Sequence, residues 1–185
     1  MATRAKQRLL TAAEKLFYAE GIRAIGVDRL LRVSGVGRAS FYRHFASKDD
    51  LIVAVLEERD RRWLAWLRES VEAKAADPAD RPLAVFDALS ERFSRRDFRG
   101  CAFINTMVEV ADVRSPAHRA ADRHKRRVVD YLTKLLAAAG RSDAPALAVE
   151  FALLVDGAIV TAVREGTPAA ADRARNMARR LLAID

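Results

Sequence analysis

The sequence predicts an all-α chain of nine helices, with three short helices close together at the N-terminus and a longer helical body behind them. Ala, Leu, Arg and Glu dominate the 185 residues, and runs of β-branched residues are scarce. These residue types favour helices over strands. Apolar residues recur three and four positions apart, which is the spacing of one helix face. The 8 glycines and 5 prolines are few, and most of them fall between these repeats.

The first helix is predicted at residues 3–19, with a core face of Leu9, Leu10, Ala13, Leu16 and Phe17. Gly21 follows it, in the position where a left-handed backbone often ends a helix. A short second helix is predicted at residues 27–33. Gly26 precedes it where a Ser, Thr or Asp cap is usual, and glycine caps more weakly than those residues.

The third helix is predicted at residues 38–45, after a tight turn in which two glycines surround one valine. It interleaves three residues with nitrogen-bearing side chains with three aromatic ones, namely Arg38, Arg43 and His44 with Phe41, Tyr42 and Phe45. Three short helices within fifty residues, ending in a basic helix after a sharp turn, are typical of a helix-turn-helix. Residues 1–48 are therefore predicted to form a DNA-binding domain, and residues 49–185 a second helical domain.

Six further helices are predicted in the body. Ser47 and Asp50 have the spacing of a capping box and open a fourth helix to about residue 75, roughly 42 Å long at 1.5 Å per residue. A fifth helix carries Leu83, Phe86, Leu89 and Phe93, and residues 101–113 form the most apolar one. The remaining three are predicted at 116–139, at 146–163 and after the Thr167-Pro168 pair, and Ser-Pro or Thr-Pro pairs open two of them.

The positive charge is concentrated at the N-terminus. The whole chain has a net charge of +8, and residues 1–48 contain ten Lys or Arg against three Asp or Glu. This first quarter therefore carries +7, and the rest of the chain is almost neutral. A basic segment on a neutral body indicates nucleic-acid binding, although a well-solvated surface would give the same count.

Several other classes of protein are disfavoured by the sequence. No signal peptide and no uninterrupted 18-residue apolar run is found, so no membrane partner is expected. The single cysteine, Cys101, cannot form an internal disulfide, which fits a cytoplasmic protein. His118 and His124 are six positions apart and share no helix face, so no metal site is expected. No Ser/His/Asp set or glycine-rich phosphate loop supports an enzyme, and no cofactor is expected.

The N-terminal residues resemble the DNA-binding domain of the TetR family of bacterial transcriptional regulators. The matching residues are Ala12, Ala13, Leu16, Phe17, Gly21, Val27, Gly35, Val36, Phe41, Tyr42, His44, Phe45, Ser47, Lys48 and Leu51. The family's usual residues are replaced conservatively by Gly26, Gly37, Ala39 and Ser40. The rest of the chain is similar to the family only in architecture. One exception is a short segment with Gly100, Cys101, Asn105 and Glu109, which is similar to a segment of one subgroup of the family.

The expected DNA contacts are made by the second and third helices and by the start of the fourth. N-terminal residues of a recognition helix reach base edges, so Arg38 is predicted to bind guanine and Ala39 a thymine methyl group. Ser40, Tyr42, His44 and Lys48 are expected to hold phosphates. Asp28 would accept from cytosine or, as the preferred alternative, help to cap its helix. The full predicted set is Val27, Asp28, Gly37, Arg38, Ala39, Ser40, Tyr42, Arg43, His44 and Lys48.

The body is expected to pair with a second copy and to bind a ligand. A dimer interface is predicted at Phe151, Leu154, Val155, Ala158, Ile159, Ala162, Met177 and Leu181, with an internal core as the alternative. An apolar cavity is predicted to be lined by Trp63, Trp66, Phe86, Phe93, Phe103, Ile104, Met107 and Val108, although such residues more often form a core. Asn105 and Glu109 would orient a ligand or, equally, pin Arg side chains of neighbouring helices. Cys101 is expected to be a small buried residue, with a redox role as the alternative.

These expectations lead to one leading hypothesis and two alternatives. The leading one is a dimeric transcriptional repressor, released from operator DNA by an unidentified small, largely apolar molecule, as the family resemblance implies. The alternatives are an effector-independent DNA-binding protein and, with much less support, a helical enzyme.

Overall fold

The computed structural model describes residues 2–183, with side chains from residue 4 onward. Within this range all regular structure is helical, in nine helices. They are α1 (Ala2–Glu20), α2 (Val27–Ser34), α3 (Arg38–His44), α4 (Lys48–Lys74), α5 (Arg81–Phe93), α6 (Ala102–Glu109), α7 (Pro116–Ala138), α8 (Ala144–Glu165) and α9 (Ala169–Leu181). The predicted all-α fold is therefore confirmed.

Two helix starts follow the predicted side-chain caps. The Ser47 hydroxyl accepts a hydrogen bond from the Asp50 backbone N–H at 3.1 Å and donates one to the Asp50 carboxylate, also at 3.1 Å. In the same way, Ser115 Oγ accepts from the backbone N–H of His118 at 3.1 Å, ahead of Pro116 at the start of α7. Each hydroxyl satisfies a backbone donor that its helix leaves without an internal partner.

The sixth helix, α6, is shorter than the sequence predicts. The prediction carried α6 to residue 113, whereas the helix ends at Glu109. Asp112 accounts for the early end, because its carboxylate accepts the N–H of Arg114 at 2.9 Å and its carbonyl accepts the N–H of Ser115 at 3.0 Å. Such a local turn competes with the helix for the same backbone groups.

Contacts within the described chain divide it into two compact units. The first, called unit 1, contains the residues up to Arg61 together with Ala102–His124. The second, called unit 2, contains Arg62–Cys101 and the residues from Lys125 onward. The first half of α4, α6 and the start of α7 are thus grouped with the three N-terminal helices. The division into a DNA-binding domain of residues 1–48 and a second domain of residues 49–185 stays a prediction.

The core of unit 1 fixes α1, α2 and α3 against one another. On α1 the predicted face is buried at Leu9, Ala13, Leu16 and Phe17, whereas Leu10 is half-buried. Leu30 of α2 and Phe41 of α3 are completely buried, and Phe45 is buried just after α3. The rings of Phe41 and Phe45 lie 6.0 Å apart. These two aromatic residues therefore anchor α3 from inside, as the sequence analysis preferred.

Unit 2 is built around α5, α8 and α9, with Phe86 of α5 and Phe151 of α8 5.8 Å apart in its core. By length and composition alone, α8 is the one described helix that is apolar enough to cross a membrane, with a mean hydropathy of 2.0. Glu150 and Asp156 interrupt its apolar residues, so α8 contains no uninterrupted 18-residue apolar run. Core helices of soluble proteins pass the same test, and Phe151, Val155 and Ala158 are buried here.

Candidate nucleic-acid interface

A left-handed residue makes the turn between α2 and α3. Gly35 has φ +61°, a conformation that strains residues with a Cβ, and it ends α2. Val36 is buried behind the turn, and its backbone N–H donates to the Ser34 hydroxyl at 3.3 Å. Because Val36 and Phe41 both point inward, the opposite side of α3 faces outward.

The predicted DNA-binding residues all lie in unit 1, on or beside this outward side. Six of them are exposed, namely Asp28, Gly37, Arg38, Ala39, Tyr42 and Arg43. The other four are half-buried, namely Val27, Ser40, His44 and Lys48. Tyr42 keeps half of its surface exposed while its ring meets that of Phe41 edge-on at 5.1 Å. A surface with a guanidinium at the start of a helix and hydroxyls behind it matches the donor requirements of a DNA groove and its phosphates.

Arg38 and Asp28 form an ion pair across the turn. The Nη2 atom of Arg38, at the start of α3, donates to Oδ1 of Asp28 in the first turn of α2. Both side chains are well exposed, at 58% for Arg38 and 84% for Asp28. The sequence predicts a base contact or a capping role for Asp28, and neither of these includes the pair with Arg38.

Two other predicted phosphate contacts, Lys48 and His44, are partly buried in unit 1. Lys48 Nζ donates to the backbone carbonyl of Ile22 at 2.6 Å, and burial lowers the pKa of Lys48, an effect that Asp49 and Glu109 partly offset. This hydrogen bond uses one of three ammonium donors and leaves two for a phosphate. Nε2 of His44 is buried without a hydrogen-bond partner, so this atom does not face a phosphate in the described arrangement.

Comparison with known proteins agrees with this geometry. The family described as "Bacterial regulatory proteins, tetR family" matches residues 9–55, which contain the whole helix-turn-helix. A second family description, "Tetracyclin repressor-like, C-terminal domain", matches residues 78–178 and so covers more than half of the chain. The chain belongs to the TetR family. It is therefore a transcriptional regulator that binds DNA.

Individual transcriptional regulators are similar to this chain over most of its length. The crystal structure of a TetR-family transcriptional regulator from Streptomyces coelicolor superimposes with a TM-score of 0.89 at 33% identity, covering 98% of this chain and 95% of that one. The transcriptional repressor NemR of Escherichia coli K12 is 28% identical over 132 residues, which are 71% of this chain and 66% of NemR. The transcriptional regulator AcuR of Cereibacter sphaeroides is 28% identical over 176 residues, 90% of this chain and 80% of AcuR.

The residues predicted to line a ligand cavity fall in both units of this TetR-family chain. Trp63, Trp66, Phe86 and Phe93 belong to unit 2, where the two phenylalanines are buried and the tryptophan rings lie 6.0 Å apart, partly buried on the core. The other six belong to unit 1, namely Phe103, Ile104, Asn105, Met107, Val108 and Glu109. Phe103 is buried and stacks on His124 at 3.5 Å, whereas Val108 is 78% exposed. Cys101, predicted to be buried, is half-buried against the core of unit 2.

Unit 1 contains an open cleft between α1, α4 and α6, with an empty volume of about 380 Å³ that includes space open to solvent. Asn105 and Glu109 are the two predicted ligand residues that line it. Arg59 and Glu14 also line it and form an ion pair at 3.1 Å, and the Arg59 guanidinium lies 4.1 Å from the ring of Tyr18. Most of the other lining residues are apolar, and Glu14, Arg59 and Glu109 are the charged ones.

The predicted dimer residues are mostly inside unit 2. Phe151, Val155, Ala158, Ile159 and Ala162 are buried in its core, and Leu154 is partly buried against it. The five buried side chains pack within their own subunit, whereas Leu154 keeps part of its surface exposed. Met177 and Leu181 of α9, in contrast, are exposed. The apolar residues of α8 that do face outward were missed by the sequence analysis and are Val149, Leu153, Val160 and Val163.

The two histidines of α7 have separate partners. Nδ1 of His118 lies 3.2 Å from the carbonyl of Val110. Nδ1 of His124 lies 2.7 Å from Oδ1 of Asp60, and both of these side chains are buried. Each imidazole is therefore part of the packing of unit 1.

Proposed function

We propose that this TetR-family protein is a homodimeric repressor that binds a two-fold operator and leaves it when a small, largely apolar molecule binds. The observation that supports DNA recognition most directly is the two-sided character of α3. Phe41 is fully buried on one side, and Arg38, Ala39, Tyr42 and Arg43 are exposed on the other. A short helix with this division fits a major groove.

Arg38 is the proposed base-reading residue. It is the first residue of α3, and the N-terminal residues of a recognition helix are those that reach base edges. A guanidinium binds O6 and N7 of guanine in bidentate fashion, which discriminates against other bases by about 1–3 kcal/mol. Ser40, Tyr42 and Lys48 would hold phosphates and so set the register of the helix on the duplex.

The proposed dimer uses the exposed apolar residues of α8 and α9. Val149, Leu153, Val160 and Val163 are four, seven and three positions apart, which places them along one stripe of α8. Met177 and Leu181 add an exposed apolar pair on α9. Together these six account for most of the large exposed apolar residues in the described chain. Exposed apolar residues concentrated on two helices favour pairing with a second copy, which would present two recognition helices about one DNA turn apart.

The proposed ligand is small and largely apolar, because aromatic residues of unit 2 are incompletely buried. Trp63, Trp66 and Phe98 pack against the core of unit 2 but keep part of their surface accessible. An effector must bind one dimer geometry better than the other. Changing the occupancy of the operator from 1:99 to 99:1 takes a preference of about 10⁴-fold, or roughly 5.5 kcal/mol.

Selection of bound DNA from a random pool, repeated with candidate apolar ligands, tests this proposal. We expect one enriched sequence with two-fold symmetry, whose recovery falls when an effector is present. An enriched sequence that no ligand affects would favour the effector-independent alternative, and the absence of any enrichment at physiological salt would refute sequence-specific recognition. Turnover of a ligand that raises the melting temperature would favour the enzyme alternative.

A further inference from the structure

The last residue of α6, Glu109, holds the turn between α1 and α2. Its Oε2 atom accepts a hydrogen bond from the backbone N–H of Arg23 at 2.9 Å, and its own carbonyl accepts a longer one from Arg23 Nη1 at 3.4 Å. The two residues are 86 positions apart in the chain and lie together in unit 1. One side chain thus ties the end of α6 to the segment that leads into the helix-turn-helix.

Gly21 leaves room for this carboxylate. Its φ of +89° lies in the left-handed region, where a residue with a Cβ is strained. A Cβ at this position would also lie 2.9 Å from Oε2 and 3.1 Å from Oε1 of Glu109. An alanine here would therefore strain the turn and displace the carboxylate that holds it.

Lys48 holds the same turn through another atom. Its ammonium donates to the carbonyl of Ile22, which stands between Gly21 and Arg23 and has a buried side chain. Residues 21–23 are thus fixed by the first residue of α4 and by the last residue of α6. A displacement of Glu109 away from this turn would stretch or break the hydrogen bond from the Arg23 backbone N–H.

The charges of these two residues oppose their own helix dipoles. A helix favours anions at its N-terminus and cations at its C-terminus. Lys48 is the first residue of α4 and Glu109 is the last residue of α6, so each side chain lies at the unfavourable end. Helix stability therefore does not explain either residue type at these positions, whereas their hydrogen bonds to the turn do.

We propose that Glu109 is a positioning residue for operator binding, which sets the α1–α2 turn and through it the placement of α2 and Lys48 on DNA. The inference rests on the proposed function, since it takes α3 and Lys48 to be the DNA-contacting groups. On this proposal the Glu109 carboxylate binds the protein's own backbone and does not orient a ligand.

The test compares four variants of the full chain, Glu109→Ala, Glu109→Gln, Gly21→Ala and, as a control at an exposed site four residues beyond Glu109, Val113→Ala. Affinity is measured for the selected operator and for a random duplex over a range of salt concentrations, and folding is checked by circular dichroism. We expect Glu109→Ala to lose about tenfold in operator affinity, which corresponds to one hydrogen bond to a charged group. Glu109→Gln keeps an acceptor oxygen and should recover most of this loss, and Gly21→Ala should resemble Glu109→Ala.

The salt dependence separates positioning from charge. Glu109→Ala removes no phosphate contact, so the slope of operator affinity against salt should stay that of the wild type. If only the negative charge of Glu109 mattered, its loss would strengthen binding to both duplexes, whereas the proposal predicts weaker binding to the operator. The inference is overturned if Glu109→Ala binds the operator like Val113→Ala, or if Glu109→Gln loses as much operator affinity as Glu109→Ala. If the wild type prefers no sequence, the proposed function fails as well.

Discussion

Replacement of Arg38 by alanine should remove discrimination at one base position of each half-site. The bidentate contact that we propose is worth about 1–3 kcal/mol, or roughly 5- to 150-fold in relative affinity. In the free protein Arg38 is paired with Asp28, and binding to guanine must compete with this pair. Because both side chains are mostly exposed, the pair contributes at most about 1 kcal/mol. Discrimination should therefore survive the competition and be lost in Arg38→Ala.

Fluorescence anisotropy with the selected operator and with single-base variants of it measures this effect. The wild type should lose affinity for the variants changed at the contacted guanine, whereas Arg38→Ala should bind these and the parent operator almost equally. Arg32→Ala is the matched control, since Arg32 is an exposed arginine of α2 that lies outside the predicted contact set. An Arg38→Ala protein that keeps the wild-type ranking of operators would refute the assignment of Arg38 as the base-reading residue.

Three further predictions concern other parts of the chain. Lys48→Ala should reduce the salt slope by about 0.9, the value for one phosphate contact, and should also lower operator affinity because the Ile22 carbonyl loses its ammonium donor. A salt slope equal to that of the wild type would contradict the phosphate contact. Leu153→Glu should give a monomer in light scattering, because Leu153 is 74% exposed on the proposed dimer stripe, whereas Val113→Glu, at a 64% exposed site in unit 1, should stay dimeric. Tyr131→Phe should reduce the loss of stability at alkaline pH. Burial raises the pKa of Tyr131 to about 12 in the folded protein, so the tyrosine of the unfolded chain ionises at a lower pH. The stability that Tyr131 contributes therefore declines between about pH 10 and pH 12. Denaturant titrations of both proteins across that range check the last prediction, and parallel pH profiles would rule it out.

The helices and the helix-turn-helix were predictable because their signals are local. The capping hydroxyls of Ser47 and Ser115 lie within three residues of the N–H groups that they accept from. Gly35 marks the turn because its left-handed backbone suits glycine better than other residues. The end of α6 was missed because the competing turn at Asp112 has the same residue types as a solvated helix end.

The sequence does not show which apolar face of α8 is exposed. Apolar residues surround most of this helix, so its periodicity contains two apolar stripes rather than one. Phe151 and Val155 lie on the stripe that packs in unit 2, and Leu153 and Val160 lie on the exposed one. Only the positions of α5 and α9 distinguish the two, and these are tertiary information. The Arg38–Asp28 pair was missed for a related reason, since its partners come from different helices.

The ion pairs also limit how much of the N-terminal charge can act on DNA. Each of the three acidic residues before position 48 has an arginine partner: Asp28 binds Arg38, Glu14 binds Arg59, and Glu20 binds Arg29 through two hydrogen bonds of 2.5 and 2.7 Å. An arginine held in this bidentate way presents less of its guanidinium to a phosphate. Arg29 should therefore contribute to the long-range attraction of DNA without adding a full unit to the salt slope. A measured slope that drops by one unit in Arg29→Ala would show that the pair with Glu20 opens on DNA.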